Sequence, residues 1–146
     1  MKKLLLVTAL AAFMSTAMAT DVSVSLVRDA TIDKTGARVI LSGPEYGPVK
    51  SFATVTNVND AYIRYGVGGE LSGVQVGPVA LSATGSVIYQ DVTSGVSGYG
   101  LVAGVKAAYP ITKNIDVVAS VEKFYGQERI SQFNGNTVGL GLTAKF

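Results

Sequence analysis

The stretch NTVGLGLTAKF, residues 136–146, decides how the rest of the chain is read. Every second position gives Val138, Leu140, Leu142, Ala144 and Phe146, all apolar. Between them stand Thr137, Gly139, Gly141, Thr143 and Lys145, polar or without a side chain. Successive side chains of a strand point to opposite faces, so this alternation makes one greasy face and one polar face. The length suits a tilted strand crossing a bilayer, which needs roughly 9–11 residues. A half-buried strand of a soluble sheet reads the same way in isolation, so the neighbouring sequence has to decide.

Residues 1–19 stand apart from that pattern. Lys2 and Lys3 precede an apolar run over 4–14, and Ala17-Met18-Ala19 has the small-x-small form of an export cleavage site. The run is shorter than the roughly 20 residues of a membrane-spanning helix. The expectation is a cleaved secretory signal peptide over 1–19, read by the Sec pathway, and one domain over 20–146. The formal charge of +2 comes from Lys2 and Lys3. Without them the chain carries ten basic and ten acidic residues, so its charge gives no reason to expect nucleic acid as a partner. Cysteine and histidine are both absent, which removes disulfides, thiol chemistry and imidazole metal ligands.

Alternation like that of 136–146 recurs along the chain. Strands are expected over 21–28, 36–42, 49–56, 61–71, 79–90, 99–109, 115–125 and 136–146. Gly, Pro and charged clusters separate them at 29–35, 43–48, 57–60, 72–78, 91–98, 110–114 and 126–135. In 99–109 the outward set is Tyr99, Leu101, Ala103, Val105, Ala107 and Tyr109, with an aromatic at each end. Tyrosine has an apolar body and a polar tip and is favoured at membrane–water boundaries, so Tyr89, Tyr99, Tyr109 and Tyr125 are candidate interface residues. In 49–56 the alternation does not show which face is apolar. Eight strands satisfy the even parity of a barrel whose two ends lie on one side. With that side periplasmic, 43–48, 72–78 and 110–114 are inner turns and the other four connections face outward. The fold class expected is all-β: a closed eight-stranded antiparallel up-and-down transmembrane barrel. A soluble lipocalin-like barrel, with its apolar faces inside, is the structural alternative.

The segment GYGLVAGVKAAYPITKNIDVVASV, residues 98–121, is similar to the small eight-stranded outer-membrane barrels of the OmpA/OmpX type. The C-terminal Phe146, with Leu142 and Leu140 before it, resembles the signal read by the outer-membrane assembly machinery; Ala144 departs from it, because a larger residue often stands there. The resemblance covers about the last seventy residues well and the first fifty loosely. It implies the outer membrane of a Gram-negative bacterium, contacts with membrane lipid, lipopolysaccharide, periplasmic chaperones and the assembly machinery, a monomer, and no cofactor. It carries over no functional residue.

Enzymes exist with a similar plan: lipid A deacylases, outer-membrane phospholipases and omptin proteases. Each relies on a histidine, the side chain that titrates near neutral pH, and this chain has none. The expectation is therefore a non-enzymatic protein, and the resemblance implies a structural or surface-exposed role for it. One alternative is an adhesin, or a phage or serum-factor receptor, with Gln127, Glu128, Arg129, Gln132, Phe133 and Asn134 as the candidate binding loop. A small diffusion pore is the third reading.

With the apolar face toward lipid, Arg38, Arg64, Glu70, Lys106, Asp116, Glu122 and Lys145 point into the lumen. Counting from the inner end of each strand places Arg64 and Glu122 at one level, which predicts an ion pair or network joining them, extended by Tyr62. Separate hydration of each charge near a rim is the bland alternative. Gly66, Gly68, Gly100, Gly104, Gly139 and Gly141 fall on inward faces, either leaving room for large neighbours or marking bulges. Lys123 falls on the lipid face near the outer end of its strand. Either its stem reaches the headgroups, where it meets lipopolysaccharide phosphate, or a bulge turns it inward.

Overall fold

The computed structural model describes residues 20–146; the expected signal peptide, 1–19, lies outside the described residues. Eight strands follow in order: β1 (Asp21–Asp29), β2 (Lys34–Tyr46), β3 (Val49–Val58), β4 (Tyr62–Val76), β5 (Val79–Val92), β6 (Ser97–Pro110), β7 (Ile115–Gly126) and β8 (Gly135–Lys145). Each pairs antiparallel with its sequence neighbour, and β8 pairs with β1 to close the barrel. A 3-10 helix, Glu128–Phe133, lies between β7 and β8.

The paired residues fix the barrel's shape. One circuit runs from Ala107 through Ala119, Leu140, Leu26, Ala37, Asn57, Ile63 and Asp91 to Ser97, ten positions along β6 from its start. Eight strands with that stagger tilt by about 40° and enclose a bore just wide enough for side chains to fill.

The alternation works inside out. Leu26 is 75 % exposed and Leu140 63 %, and Val24, Val67, Val87, Leu101, Val105 and Val121 share that outer surface. An apolar belt of this extent has no place against water. On β3 the inward residues are Phe52, Thr54 and Thr56, which settles the face its sequence left open. The belt is bounded by tyrosines. Tyr65, Tyr89 and Tyr99 stand side by side on β4, β5 and β6, and Tyr89 meets Tyr99 edge to face at 5.2 Å. Tyr125 lies beside Leu101 on the next strand. Tyr109 marks the other boundary, ten residues below Tyr99. At a rise of ~3.4 Å and that tilt, the spacing is roughly 26 Å along the axis, close to the ~25 Å apolar band of membrane barrels. Lys123 is exposed on the outer surface, in unbroken register with Ala103 and Asn136, so no bulge turns it inward.

The strands run further than their punctuation suggests. The expected turns at 43–48 and 72–78 shrink to Gly47-Pro48 and Gly77-Pro78, where both glycines take a positive φ (64° and 59°). The residues before them stay paired, because a bulge absorbs Gly43-Pro44 and another absorbs Gly73-Val74. A proline disrupts a ladder only where its missing N–H was needed, and a bulge removes that need. Both hairpins read Leu-Ser-Gly-x-Glu/Gln-x-Gly-Pro-Val, from Leu41 and from Leu71, so one device is used twice. The outer connections also shorten, to 30–33, 59–61, 93–96 and 127–134.

Candidate functional site: a corked polar lumen

The bore is layered. At the end opposite residues 20 and 146, here the outer end, Val27, Val58, Ala61, Tyr62, Ile88, Val92, Phe124 and Ile130 form the apolar cluster of the molecule. Ile130 comes from the 3-10 helix and is fully buried, and half-buried Phe133 packs edge to face on Tyr62 at 5.7 Å. The longest outer connection thus folds inward as a cork. Gly100 makes this possible: a Cβ there would sit 2.3 Å from the Phe124 ring.

Directly beneath lies Arg64, 4 % exposed, with its guanidinium 4.1 Å from the ring centres of both Tyr62 and Phe124. Its Nε donates to Gln90 Oε1 at 2.6 Å, and its Nη2 lies 3.8 Å from Asp29 Oδ2. Asp29 also accepts from Tyr62 Oη at 2.5 Å and from the Thr31 amide at 2.9 Å. A planar cation between two aromatic faces with a carboxylate at its edge is a role that arginine, not lysine, fills.

The expected Arg64–Glu122 ion pair is not formed. Glu122 instead accepts from Arg38 Nη1 at 2.6 Å, while Arg38 Nε donates to Thr56 Oγ1 at 3.0 Å. The reason is the stagger: a ten-residue shear over eight strands offsets neighbouring strands by more than one residue in height. Equal counts from the inner ends of β4 and β7 therefore do not mean equal depth. Tyr62 does join Arg64, through its ring and its bond to Asp29. Gly104 gives Glu122 its space, since a Cβ there would lie 2.5 Å from Glu122 Cγ.

Further inward, Glu70 takes Lys106 Nζ at 2.5 Å and Ser82 Oγ at 2.8 Å. At the inner mouth Lys145 pairs with Asp116 at 2.6 Å, and Lys50 pairs with Asp21. Between the Arg38 and Glu70 levels lies a cavity of about 50 Å³, lined in part by Ser25, Thr54, Ser86 and Ser120. Arg64 Nη2 and Thr54 Oγ1 are buried without a hydrogen-bond partner in the protein, and the space suffices for a few waters. Below it the bore opens at the inner end into a charged recess of about 350 Å³.

Of the residues singled out in the sequence, Arg38, Arg64, Glu70, Lys106 and Glu122 all lie in this bore, in three separate layers. Asp29, placed in a loop by its charge, ends β1 pointing inward, and Gln90 was not singled out at all. Tyr99, Tyr109 and Tyr125 are exposed on the outer surface; Tyr89 is largely covered. Leu140, Leu142 and Phe146 are exposed along β8 and just beyond it. Gln127, Glu128, Arg129 and Asn134 face away from the cork, whereas Phe133 belongs to it. No group of three or more potential metal ligands occurs among the described residues.

No protein-family model and no curated protein sequence matches this chain. Solved structures do match it. The N-terminal β-barrel domain of OprF from Pseudomonas aeruginosa superposes with a TM-score of 0.63 at 16% identity, over 87% of this chain and 98% of that one. The fold is that of a small membrane barrel. The Yersinia pestis outer membrane protein Ail gives 0.57 at 12% identity, over 87% of this chain and 99% of that one. A de novo designed transmembrane β-barrel gives 0.56 at 15% identity, over 87% and 96%. A designed barrel with no inherited role fits about as well as the natural Ail, so these likenesses speak to architecture alone.

Proposed function

We propose that this chain is a non-enzymatic integral protein of a Gram-negative outer membrane, exported through the Sec pathway and acting as a structural, surface-exposed barrel. The observation that carries this reading is the pairing of an outward apolar belt with a bore whose charges are matched and whose outer end is corked. In that setting the end with residues 20 and 146 faces the periplasm, and Leu140, Leu142 and Phe146 present the strand edge to the assembly machinery, with periplasmic chaperones holding the chain before insertion. The lumen carboxylates of Asp29, Glu70 and Glu122 are each paired with a cation, which leaves none of these three free as a general base.

A recognition role for the outer end has less to work with. Three of the four outer connections have three or four residues, and Phe133 and Ile130 of the fourth point inward. That is small against the ~800 Å² per partner of a standard interface. The pore reading meets the same cork. Fractionation of cells with the outer membrane, together with heat-modifiable migration on a gel, tests the proposal. A folded, amphiphile-free monomer recovered from the periplasmic fraction would overturn it.

A further inference from the structure

Two cations on the lipid-facing surface have no part in the lumen. Lys123 on β7 sits opposite Asn136 of β8, and Arg28 on β1 sits opposite Val138 of the same strand. They therefore flank β8 at positions two residues apart on one face, with Cα atoms about 12 Å from each other by strand spacing and rise. Lys123 lies at the outer tyrosine boundary, its Nζ 5.3 Å from the Tyr125 ring, and the Arg28 side chain is 61% exposed. Next to them runs an external groove of about 640 Å³ with Leu26, Ala37, Val138 and Leu140 along its apolar length and Arg28 and Thr35 at its outer end. Ala37 keeps it open, being the small residue among branched neighbours.

We infer that this surface binds a phosphorylated glycolipid of the outer leaflet, lipopolysaccharide, with an acyl chain in the groove and a phosphate between Arg28 and Lys123. The inference rests on the outer-membrane reading above. Charge and polarity argue for that occupant: the groove is apolar where acyl chains lie and cationic where headgroup phosphates lie. A lipid-facing cation at this depth costs little and gains a charge-assisted contact. Arg28 already meets Asp33 at 2.6 Å, but both side chains are exposed, and such a pair is readily exchanged for phosphate.

The test uses the refolded full barrel in detergent micelles, titrated with bis-phosphorylated lipid A or with dephosphorylated lipid A, and read by native mass spectrometry. The wild-type chain prefers the phosphorylated form by about twenty-five-fold, a factor of about five for each cation. Arg28→Gln with Lys123→Gln abolishes the preference, while Lys34→Gln, at the outer end of β2 with its Nζ on the Asp60 carbonyl, leaves it intact. Asp33→Asn keeps the positive φ of that position, which asparagine tolerates, and raises affinity by freeing Arg28. Ala37→Leu fills the groove and weakens both lipids. Equal binding of the two lipids by the wild type, or a preference that survives the double substitution, overturns the inference. Displacement of lipid A by millimolar inorganic phosphate would reduce the site to a simple anion contact and overturn it too. Heat-modifiable migration of each variant reports folding separately. A barrel that folds only with amphiphile but shows no lipid preference removes this inference and leaves the outer-membrane reading standing.

Discussion

Arg38 on β2 and Glu122 on β7 meet at 2.6 Å across the bore, although β1 and β8 stand between their strands. Their side chains are 5% and 15% exposed, so this is a contact made inside the barrel rather than on its wall. It ties together two strands that share no ladder. Removing one partner leaves a buried charge unmatched, which is where such pairs exert their largest effect.

Glu122→Ala is therefore expected to destabilise the barrel by about 3–5 kcal/mol, whereas replacing both residues by apolar ones of similar volume costs far less. Urea titration in lipid vesicles measures both. A Glu122→Ala variant as stable as the wild type would show that Arg38 is hydrated rather than paired.

Arg64→Lys keeps the charge but loses the planar stack on Tyr62 and Phe124 and the fork toward Gln90 and Asp29. Lysine is not a conservative replacement at a stacked site. We expect a loss of about 2 kcal/mol from the two ring contacts and the hydrogen bond. Tyr62→Phe retains the ring and removes the hydroxyl that bonds Asp29 and meets Thr137, so its cost is about 1–2 kcal/mol. The same titration ranks them, and the reverse order would remove the stacking argument.

The two inner turns make a separate prediction. Gly47→Ala and Gly77→Ala impose a side chain on a positive φ and each cost about 1 kcal/mol, while Gly85→Ala has open space and an ordinary backbone. Gly85→Ala is expected to be neutral or slightly stabilising. Equal losses at all three positions would show that the turn conformation is not what these glycines supply.

Planar-bilayer recordings of the wild-type barrel are expected to show no stable ohmic conductance, because the outer end is closed by Phe124, Ile130 and their neighbours. Ile130→Ala opens a void in that cork and costs about 2–5 kcal/mol in unfolding. A steady open level in the unmodified protein would refute the closed bore.

Much of this was legible in the sequence, for a physical reason. Period-two alternation depends only on neighbouring residues, so the strands, their number and the outward set on every strand but β3 could be read directly. What escaped depends on the whole barrel. The partners of Arg64 and Glu122 are set by the shear, which no single strand reveals. Gly43-Pro44 looked like a break because a bulge on a paired strand carries the same residues as a turn. The repeat of the Leu-Ser-Gly-x-Glu/Gln-x-Gly-Pro-Val device, from Leu41 and from Leu71, was the available signal that both regions are hairpin ends. The charge of Asp29 reads as loop chemistry in the sequence, and only the closed bore shows what that charge faces.

The orientation of β8 tests the account most directly, and the absence of native cysteine makes the experiment clean. Single cysteines placed in turn from position 137 to 143 carry a spin label in lipid vesicles, and collision with oxygen and with a polar relaxant is measured at each. An outward β8 face gives high oxygen accessibility at 138, 140 and 142 and low accessibility to both relaxants at 139 and 141. Oxygen accessibility that peaks instead at 137, 139, 141 and 143, or polar accessibility at every position, would contradict it.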